Sequence, residues 1–589
     1  MSLLIRISFI AACVALVVFD LHMINTYFVN VPILDNWSFL ELYEKVHNNT
    51  ATFWDFTHRH NEHRIVTLRL IFAPLALLTG WDLTYEAYAI IIALVIMFIA
   101  LIKITFYQQS NYQSNTLTIL APLSALVTGA FLFSNIQYGS VLFPINLLWY
   151  IIISSASIGI FLFVWPNERL RLLRFSLAAA VCLVATYSAA SGMSVWLALL
   201  PSVFVFARKS KYKIHWIASW LILFAVSSAV YLIGYENPGG HPNVMAALYD
   251  PLSAIRYFLI LLGRPLAPWG TIPPMLVIGG ILTAAYLYFT IAYIRHFGTR
   301  LSDQYAPWLS LGLVALFYAF LVTIGRMGAG EESAITSDRY MATTMLLAIS
   351  LTHLIRLFVC ERRTSSQATA QRHKPAYAII FVYGILLAHL IDDSVATNKR
   401  IEAWSVKTKQ YEQCLELLHY APRSCLREIF PAWRIIKERS LIIERLNFRQ
   451  FAKNLAFVDP GPEGLHHGHI NLGELLTAPI SLNKANQFEL TGWVVRPSML
   501  KPFMVLFSYG EEHPKFFTST RVGTKISARV GTEIIPNLTA SKWGYSPWSV
   551  KIHEKNLPDG KHIIRAWIYD REGQRFVKLS GEIPIIVSN

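Results

Sequence analysis

Charge is scarce in this chain: only 15% of its 589 residues are Asp, Glu, Lys or Arg, against 54% hydrophobic residues and a mean hydropathy of +0.43. That balance argues against a soluble enzyme and for a polytopic membrane protein. Cysteine is sparse too, with five residues in all. Cys13, Cys182 and Cys360 lie in or beside apolar segments, whereas Cys414 and Cys425 sit close together in the polar tail and can pair if that tail lies in an oxidising compartment. The sequence has no internal repeat and no long low-complexity segment, and its His and Cys spacing matches no strong zinc signature. Met1 to Phe28 carries one early positive charge, Arg6, and an apolar run with no clear small-residue cleavage site behind it. It reads as an uncleaved anchor helix rather than a signal peptide.

What is abundant is long apolar sequence. Spans of sufficient length lie near 7–28, 85–104, 117–133, 145–165, 173–188, 192–207, 214–233, 273–294, 305–324, 339–359 and 376–392. Residues 64–80 are also apolar but hold Arg64, Arg69 and Pro74. If that segment lies along the surface as an amphipathic helix, the clusters at 169–174 and 208–213 and the basic residues near 295–300 and 362–374 all fall on the cytoplasmic side. The expectation is about 11 transmembrane helices, N-terminus inside and C-terminus outside. This topology accounts for the net charge of +15 as membrane-flanking clusters and not as a nucleic-acid surface.

Three domains are expected: a helical membrane domain over 1–392 with a large outer loop at 29–84, a helical linker over 393–464, and a small antiparallel β-sandwich over 465–589. The sandwich rests on short β-rich runs such as Gln487 to Val495 and His562 to Tyr569, divided by turn signals at Asp559-Gly560 and Glu572-Gly573. Its tryptophans, Trp493, Trp543, Trp548 and Trp567, are either core residues or stacking platforms for a polysaccharide; Trp493 and Trp567 lie inside apolar strand patterns, which favours core.

The polar groups of the membrane domain gather in the loops assigned to the outside. Asp35 follows the first span with Trp37 two residues on. A carboxylate there can act as general base toward a hydroxyl, and an indole offers a face for a sugar ring; the alternative is a belt tryptophan beside a helix-ending aspartate. His58, His60, Glu62, His63 and Arg64 fall within seven residues, with Arg69 nearby. Imidazoles bind metal or donate to phosphate, and arginine matches phosphate oxygens in bidentate fashion. Arg64 and Arg69 can alternatively snorkel to lipid headgroups. A glycine-rich loop follows Arg326 and leads to Arg339 and Tyr340, where backbone amides and arginines can meet a lipid phosphate, or where the loop is simply flexible with interfacial side chains.

The order of these features, an acidic residue after the first span, Asn61-Glu62-His63-Arg64, Ser134 to Gln137 with Asn146 and Trp149, Ser188 to Trp196, Gly234-Tyr235 with His241, Gly325-Arg326 and Ser337 to Tyr340, resembles bacterial GT-C class membrane glycosyltransferases. Within that class the chain is similar to the polyprenyl-phosphate-sugar-dependent enzymes that decorate surface polysaccharide, such as O-antigen serotype-converting glucosyltransferases. The resemblance covers residues 1 to about 440, including the Cys414 and Cys425 spacing. It implies a bacterial inner-membrane enzyme with a periplasmic C-terminal domain. Such an enzyme moves a hexose such as glucose from an undecaprenyl-phosphate carrier to a hydroxyl of a polysaccharide or glycolipid, inverting the anomeric centre. Asp35 takes the place of the catalytic base; Trp37, His58, His60, Glu62, His63, Arg64, Gln137, His241, Arg326, Arg339 and Tyr340 take the place of substrate-binding residues. The resemblance leaves a divalent metal open and fixes no cofactor, while Asn36 in place of a second carboxylate after Asp35 leaves one carboxylate, a poor cage for such an ion. The partners implied are the lipid-linked donor, the acceptor and the bilayer, with no nucleic acid. The rival classes are a flippase for lipid-linked sugars, which calls for charged residues buried mid-span, and a polysaccharide polymerase or ligase.

Overall fold

The computed structural model describes residues 3–109, 119–235, 245–365, 374–459, 467–471, 479–482, 487–496, 504–510, 513–522 and 544–588. They form two compact units, Met1–Phe28 with Thr50–Ile401, and Val29–Asn49 with Glu402–Asn589.

The first unit is helical. Across the described residues ten helices are long and apolar enough to cross a membrane, from Ile7–Tyr27 to Tyr377–Glu416. This is the composition and architecture of a multi-pass membrane protein. The eleventh expected span, near 173–188, is instead a helix of 16 residues, Arg171–Thr186, about 24 Å long and shorter than a hydrocarbon core of about 30 Å. Near its start Arg174 is buried and donates to the carbonyls of Leu162 at 2.7 Å, Phe163 at 2.9 Å and Asn167 at 3.1 Å. The guanidinium caps the end of the preceding helix, Leu147–Val164, and does not reach for water. Val66–Thr79 is likewise short, with Pro74 inside it, and stops at Gly80 in the left-handed conformation that helix C-termini favour. Asp82 then accepts from the Thr84 amide at 3.0 Å and starts the long helix Leu83–Gln109.

Several ionisable side chains are sealed within these helices. Asp20 and Glu86 are each 1% exposed, and Oδ1 of Asp20 and both carboxylate oxygens of Glu86 have no hydrogen-bond partner. Arg356 donates to Gln108 at 3.2 Å, and His353 stacks on Trp308 with ring centroids 3.6 Å apart. From sequence the membrane domain's acidic and polar groups concentrate in the outer loops, with Asp20 in the first span an exception; Glu86, His353 and Arg356 add to that exception.

The second unit joins an N-terminal strap to the tail. Residues 29–49 do not belong with the rest of the expected 29–84 loop. Arg439 and Arg445, on helix Trp433–Arg445, pair with Glu41 at 2.8 Å and Glu44 at 2.6 Å, and Arg449 donates to the Asn30 carbonyl. The cysteines Cys414 and Cys425 are joined by a disulfide with Cα atoms 6.1 Å apart.

Its β-rich part has nine strands: β1 Ala456–Val458, β2 Gly468–Asn471, β3 Ile480–Leu482, β4 Gln487–Arg496, β5 Met504–Tyr509, β6 Lys515–Arg521, β7 Gly544–His553, β8 Gly560–Asp570 and β9 Arg575–Val587. The path runs β6-β5-β8-β9-β2-β4-β7, and an isolated bridge from Val522 to Trp548 links its two ends. The strands therefore curl round one core and are not two free sheets. Nor is the domain purely antiparallel, since β1, β2 and β3 each pair parallel with β9. Inside lie Ile470, Val494, Phe507, Ile564 and Leu579, all fully buried, with Trp548. Trp548 belongs to this core; Trp493 and Trp567 are also buried, at 5% and 4% exposed, but project from the face of their strands opposite to the core residues Val494 and Ala566; Trp543 lies outside the described residues.

Candidate functional site

The site is built on a tight turn. His60 and His63 exchange backbone hydrogen bonds, His60 N–H to His63 O at 2.8 Å and His63 N–H to His60 O at 2.9 Å. Asn61 takes the left-handed conformation that asparagine tolerates, with φ 51°. The turn presents Glu62 and His63 together. Glu62 Oε1 accepts from Arg326 Nη2 at 2.5 Å and lies 3.5 Å from His63 Nε2. On its other side His63 Nδ1 accepts from the Ala190 amide at 3.4 Å, which puts the neutral ring's proton on Nε2, toward Glu62.

Burial lowers the His63 pKa to about 4; Glu62 opposes the shift, and Arg326 adds to it. The imidazole is neutral at physiological pH. The charges left are Glu62, Arg326 and Arg339, one net positive charge.

Arg326 ends the long helix Arg300–Arg326, and Gly330, at φ 89°, closes the short turn that follows. Arg339 sits in the turn Asp338–Tyr340 with its guanidinium 5.2 Å over the Tyr340 ring. That turn is fixed by Arg264, which pairs with Asp338 at 2.5 Å and donates to Ser337 O at 2.6 Å; Arg264 is only 1% exposed in its side chain. Ala190 and Ser191 reach the site because Gly192 lets the chain pass close to Ala185, where an added Cβ would stand 1.8 Å from the carbonyl oxygen.

These groups line a cavity of about 590 Å³. An aromatic ladder is part of it, His63 against Trp149 at 5.8 Å and Trp149 against Tyr318 at 5.4 Å. Its apolar flank is formed by Phe224 and Leu232 from helix Lys213–Leu232 and by Phe317, Phe320 and Leu321 from helix Arg300–Arg326. Leu232, Phe320 and Leu321 are exposed, so this flank opens on the outer surface of the helices. Ser191 Oγ, Ser228 Oγ and Tyr318 Oη line the cavity as buried atoms without a hydrogen-bond partner. Buried hydroxyls rarely go unsatisfied, and water or a polar ligand can partner these three. Sequence reading missed Ser228 and Tyr318 because a hydroxyl inside an apolar helix leaves no pattern.

Of the residues singled out from sequence, Glu62, His63, Arg326, Arg339 and Tyr340 meet in this cavity. Others have structural partners. Arg64 donates to Thr57 O at 2.8 Å, Tyr231 O at 2.9 Å and Ile233 O at 2.5 Å, and Arg59 donates to Tyr231, Ile233 and Gly234. Both arginines thereby satisfy the carbonyls at the end of helix Lys213–Leu232 and lash the turn to it. His58 Nε2 meets Arg69 Nη2 at 2.8 Å, and burial, followed by the Arg69 charge, lowers its pKa. His60 contributes through its backbone. Gln137 is fully buried, its amide donating to Phe131 and Leu132 at 3.0 Å each, as a cap on helix Leu120–Leu132.

Asp35 and Trp37 belong to the other unit, in the turn Leu34–Phe39. Trp37 is fully buried with its indole N–H on Pro32 O at 3.0 Å, so it is no open stacking face. Asp35 is half-buried, directly after Leu34 in the left-handed region at φ 47°, a conformation that costs a leucine about 1–2 kcal/mol. Arg439 donates to the Trp37 carbonyl at 2.8 Å and holds this turn. His241 lies outside the described residues. Among the described residues no group of three or more His, Cys, Asp or Glu side chains is placed to hold a metal ion. Comparison with family models, with curated proteins and with solved structures finds no match to this chain.

Proposed function

We propose that the chain is a membrane glycosyltransferase that takes a sugar from a polyprenyl-phosphate carrier and gives it to a hydroxyl of a polysaccharide or glycolipid. The observation that carries this reading is the mixed lining of the 590 Å³ cavity: two arginines and three hydroxyls share it with apolar side chains that open on the helix surface. An amphiphile with an anionic head and a hydrocarbon tail suits both kinds of lining. Arg326 and Arg339 suit the phosphate, and Ser191, Ser228 and Tyr318 suit the sugar hydroxyls. The donor brings its own leaving group, so the protein has only to deprotonate the acceptor, offset charge on the departing phosphate and hold the reactants in line. The proposed base is Asp35, on the sequence reading, and the proposed setting is a bacterial inner membrane with the tail in the periplasm; the Cys414–Cys425 disulfide supports an oxidising compartment for that tail.

The test is transfer of labelled hexose from undecaprenyl phosphate to polysaccharide by the purified protein. Arg339→Ala is expected to weaken donor binding at least tenfold, and Asp35→Asn to lower turnover roughly two to four orders of magnitude with donor binding unchanged. Full turnover in Asp35→Asn would move the base elsewhere, and unchanged donor binding in Arg339→Ala would remove the cavity from the account.

A flippase for lipid-linked sugars is the second reading, favoured by the buried Asp20, Glu86 and Arg356, because ionisable groups inside a membrane mark substrate or ion pathways.

A further inference from the structure

The outer face of the β-rich domain carries a cavity of about 410 Å³ whose lining shares no residue with the donor cavity. Strand alternation and register create it. Lys578 and Glu582, four residues apart on β9, share a face, while Leu579 points into the core. Across the strand pair, Arg565 stands opposite Glu582 and Trp567 opposite Lys578. The parallel strand β1 brings Phe457 beside Trp567, ring centroids 5.2 Å apart, and delivers Asp459 just beyond its end.

The polar groups hold one another but are not used up. Lys578 donates to Asp459 at 2.7 Å and contacts Glu582 Oε1 at 2.5 Å, which leaves a third N–H. Arg565 donates through Nε to Glu582 Oε1 at 2.9 Å and through Nη1 to Gly510 O at 2.8 Å, which among the described residues leaves the N–H groups of Nη2. Both contacts to Glu582 are made by Oε1, and among the described residues Oε2 remains as an acceptor. The cavity thus offers donors and an acceptor beside an aromatic wall, with Arg565 and Lys578 set against Asp459 and Glu582, and with His513 and Pro514 completing its lining. The carboxylates of Asp459 and Glu582 repel an anion, and an apolar ligand would strand the charges. A polyhydroxylated, uncharged ligand suits these groups: its hydroxyls meet the charged side chains, and its C–H groups meet Phe457 and Trp567, which pack against each other and line the cavity.

We propose that this cavity is a binding site for a neutral saccharide of one or two sugar units. In the transferase reading it holds the acceptor chain, and that role rests on the reading; the binding itself does not.

The experiment is saturation-transfer NMR on the full-length protein in nanodiscs, without any lipid-linked donor. The probes are three neutral oligosaccharides, built of glucose, galactose and mannose. At least one is expected to show transfer. The double variant Lys578→Met, Glu582→Gln removes one charge of each sign; it should weaken that binding at least tenfold while thermal unfolding shows the protein folded. Asp459→Asn, at an exposed edge, should weaken it as well, and Arg339→Ala in the membrane-domain cavity should not. No transfer from any saccharide, equal transfer in the double variant and Asp459→Asn, or displacement by inorganic phosphate would each overturn the proposal. Because no donor is present, failure of glycosyl transfer leaves this result standing.

Discussion

Glu62 occupies the Arg326 guanidinium, the group that the transferase proposal assigns to the donor phosphate. Its Oε1 lies 2.5 Å from Arg326 Nη2, with 18% of the glutamate side chain and 26% of the arginine side chain exposed. A phosphate bound on the other side of the arginine fork would stand about 6–7 Å from the carboxylate. At an effective dielectric of about 20 that repulsion is worth about 2.5 kcal/mol, and solvent in the open cavity screens it to about 1.4 kcal/mol. Glu62→Gln should therefore tighten binding of undecaprenyl phosphate by about tenfold. His63 cannot compensate, because it is already neutral at physiological pH and loss of the carboxylate lowers its pKa further. Turnover should fall in the same variant, since a more firmly held phosphate leaves more slowly. The assay is quenching of tryptophan fluorescence, with Trp149 in the cavity wall, against lipid concentration in detergent, with thermal unfolding as the control for folding. Weaker lipid binding in a folded Glu62→Gln protein would refute the reasoning and make Glu62 a ligand in its own right.

Three further outcomes follow from particular contacts. The neutral His63 makes stability depend on pH: unfolded, the imidazole takes up its proton near pH 6.5, but folded only near pH 4, so between these values the unfolded chain binds more protons. Stability conferred by burying this ring is present above pH 6.5 and is lost at up to about 1.4 kcal/mol per pH unit as the pH falls toward 4; unfolding curves of wild type and His63→Gln should converge over that window. Arg439→Ala frees the turn that carries Asp35, and should lower transfer about tenfold or more with donor affinity unchanged in a binding assay. Cys414→Ser with Cys425→Ser opens a loop of sequence separation 11, worth about 3 kcal/mol, and should lower the unfolding temperature of the tail as reduction by dithiothreitol does.

Much of the helical architecture was legible because long apolar runs have few other uses. Ten of the eleven expected spans lie on helices of membrane-crossing length and composition. The exception, Arg171–Thr186, shows what hydropathy misses: Arg174 is spent on carbonyls of the helix before it. The same blindness affects the polar cluster. Arg64 looked like a phosphate ligand, but its partners are the carbonyls of Tyr231 and Ile233, more than 160 residues away in sequence. Position could not reveal that residues 29–49 belong with the tail, because the ion pairs responsible join Glu41 and Glu44 to arginines about 400 residues later. The cavity's hydroxyls and the charged face of β9 were invisible for a related reason, since each depends on which neighbours the fold supplies.

The central claim is that the sugar changes partner. The direct measurement places the purified protein in liposomes with labelled undecaprenyl-phosphate hexose and a soluble polysaccharide acceptor, and follows the label. The account predicts label on the polysaccharide, dependent on Arg339. Label that stays on the lipid while crossing from one leaflet to the other would contradict it and establish the flippase.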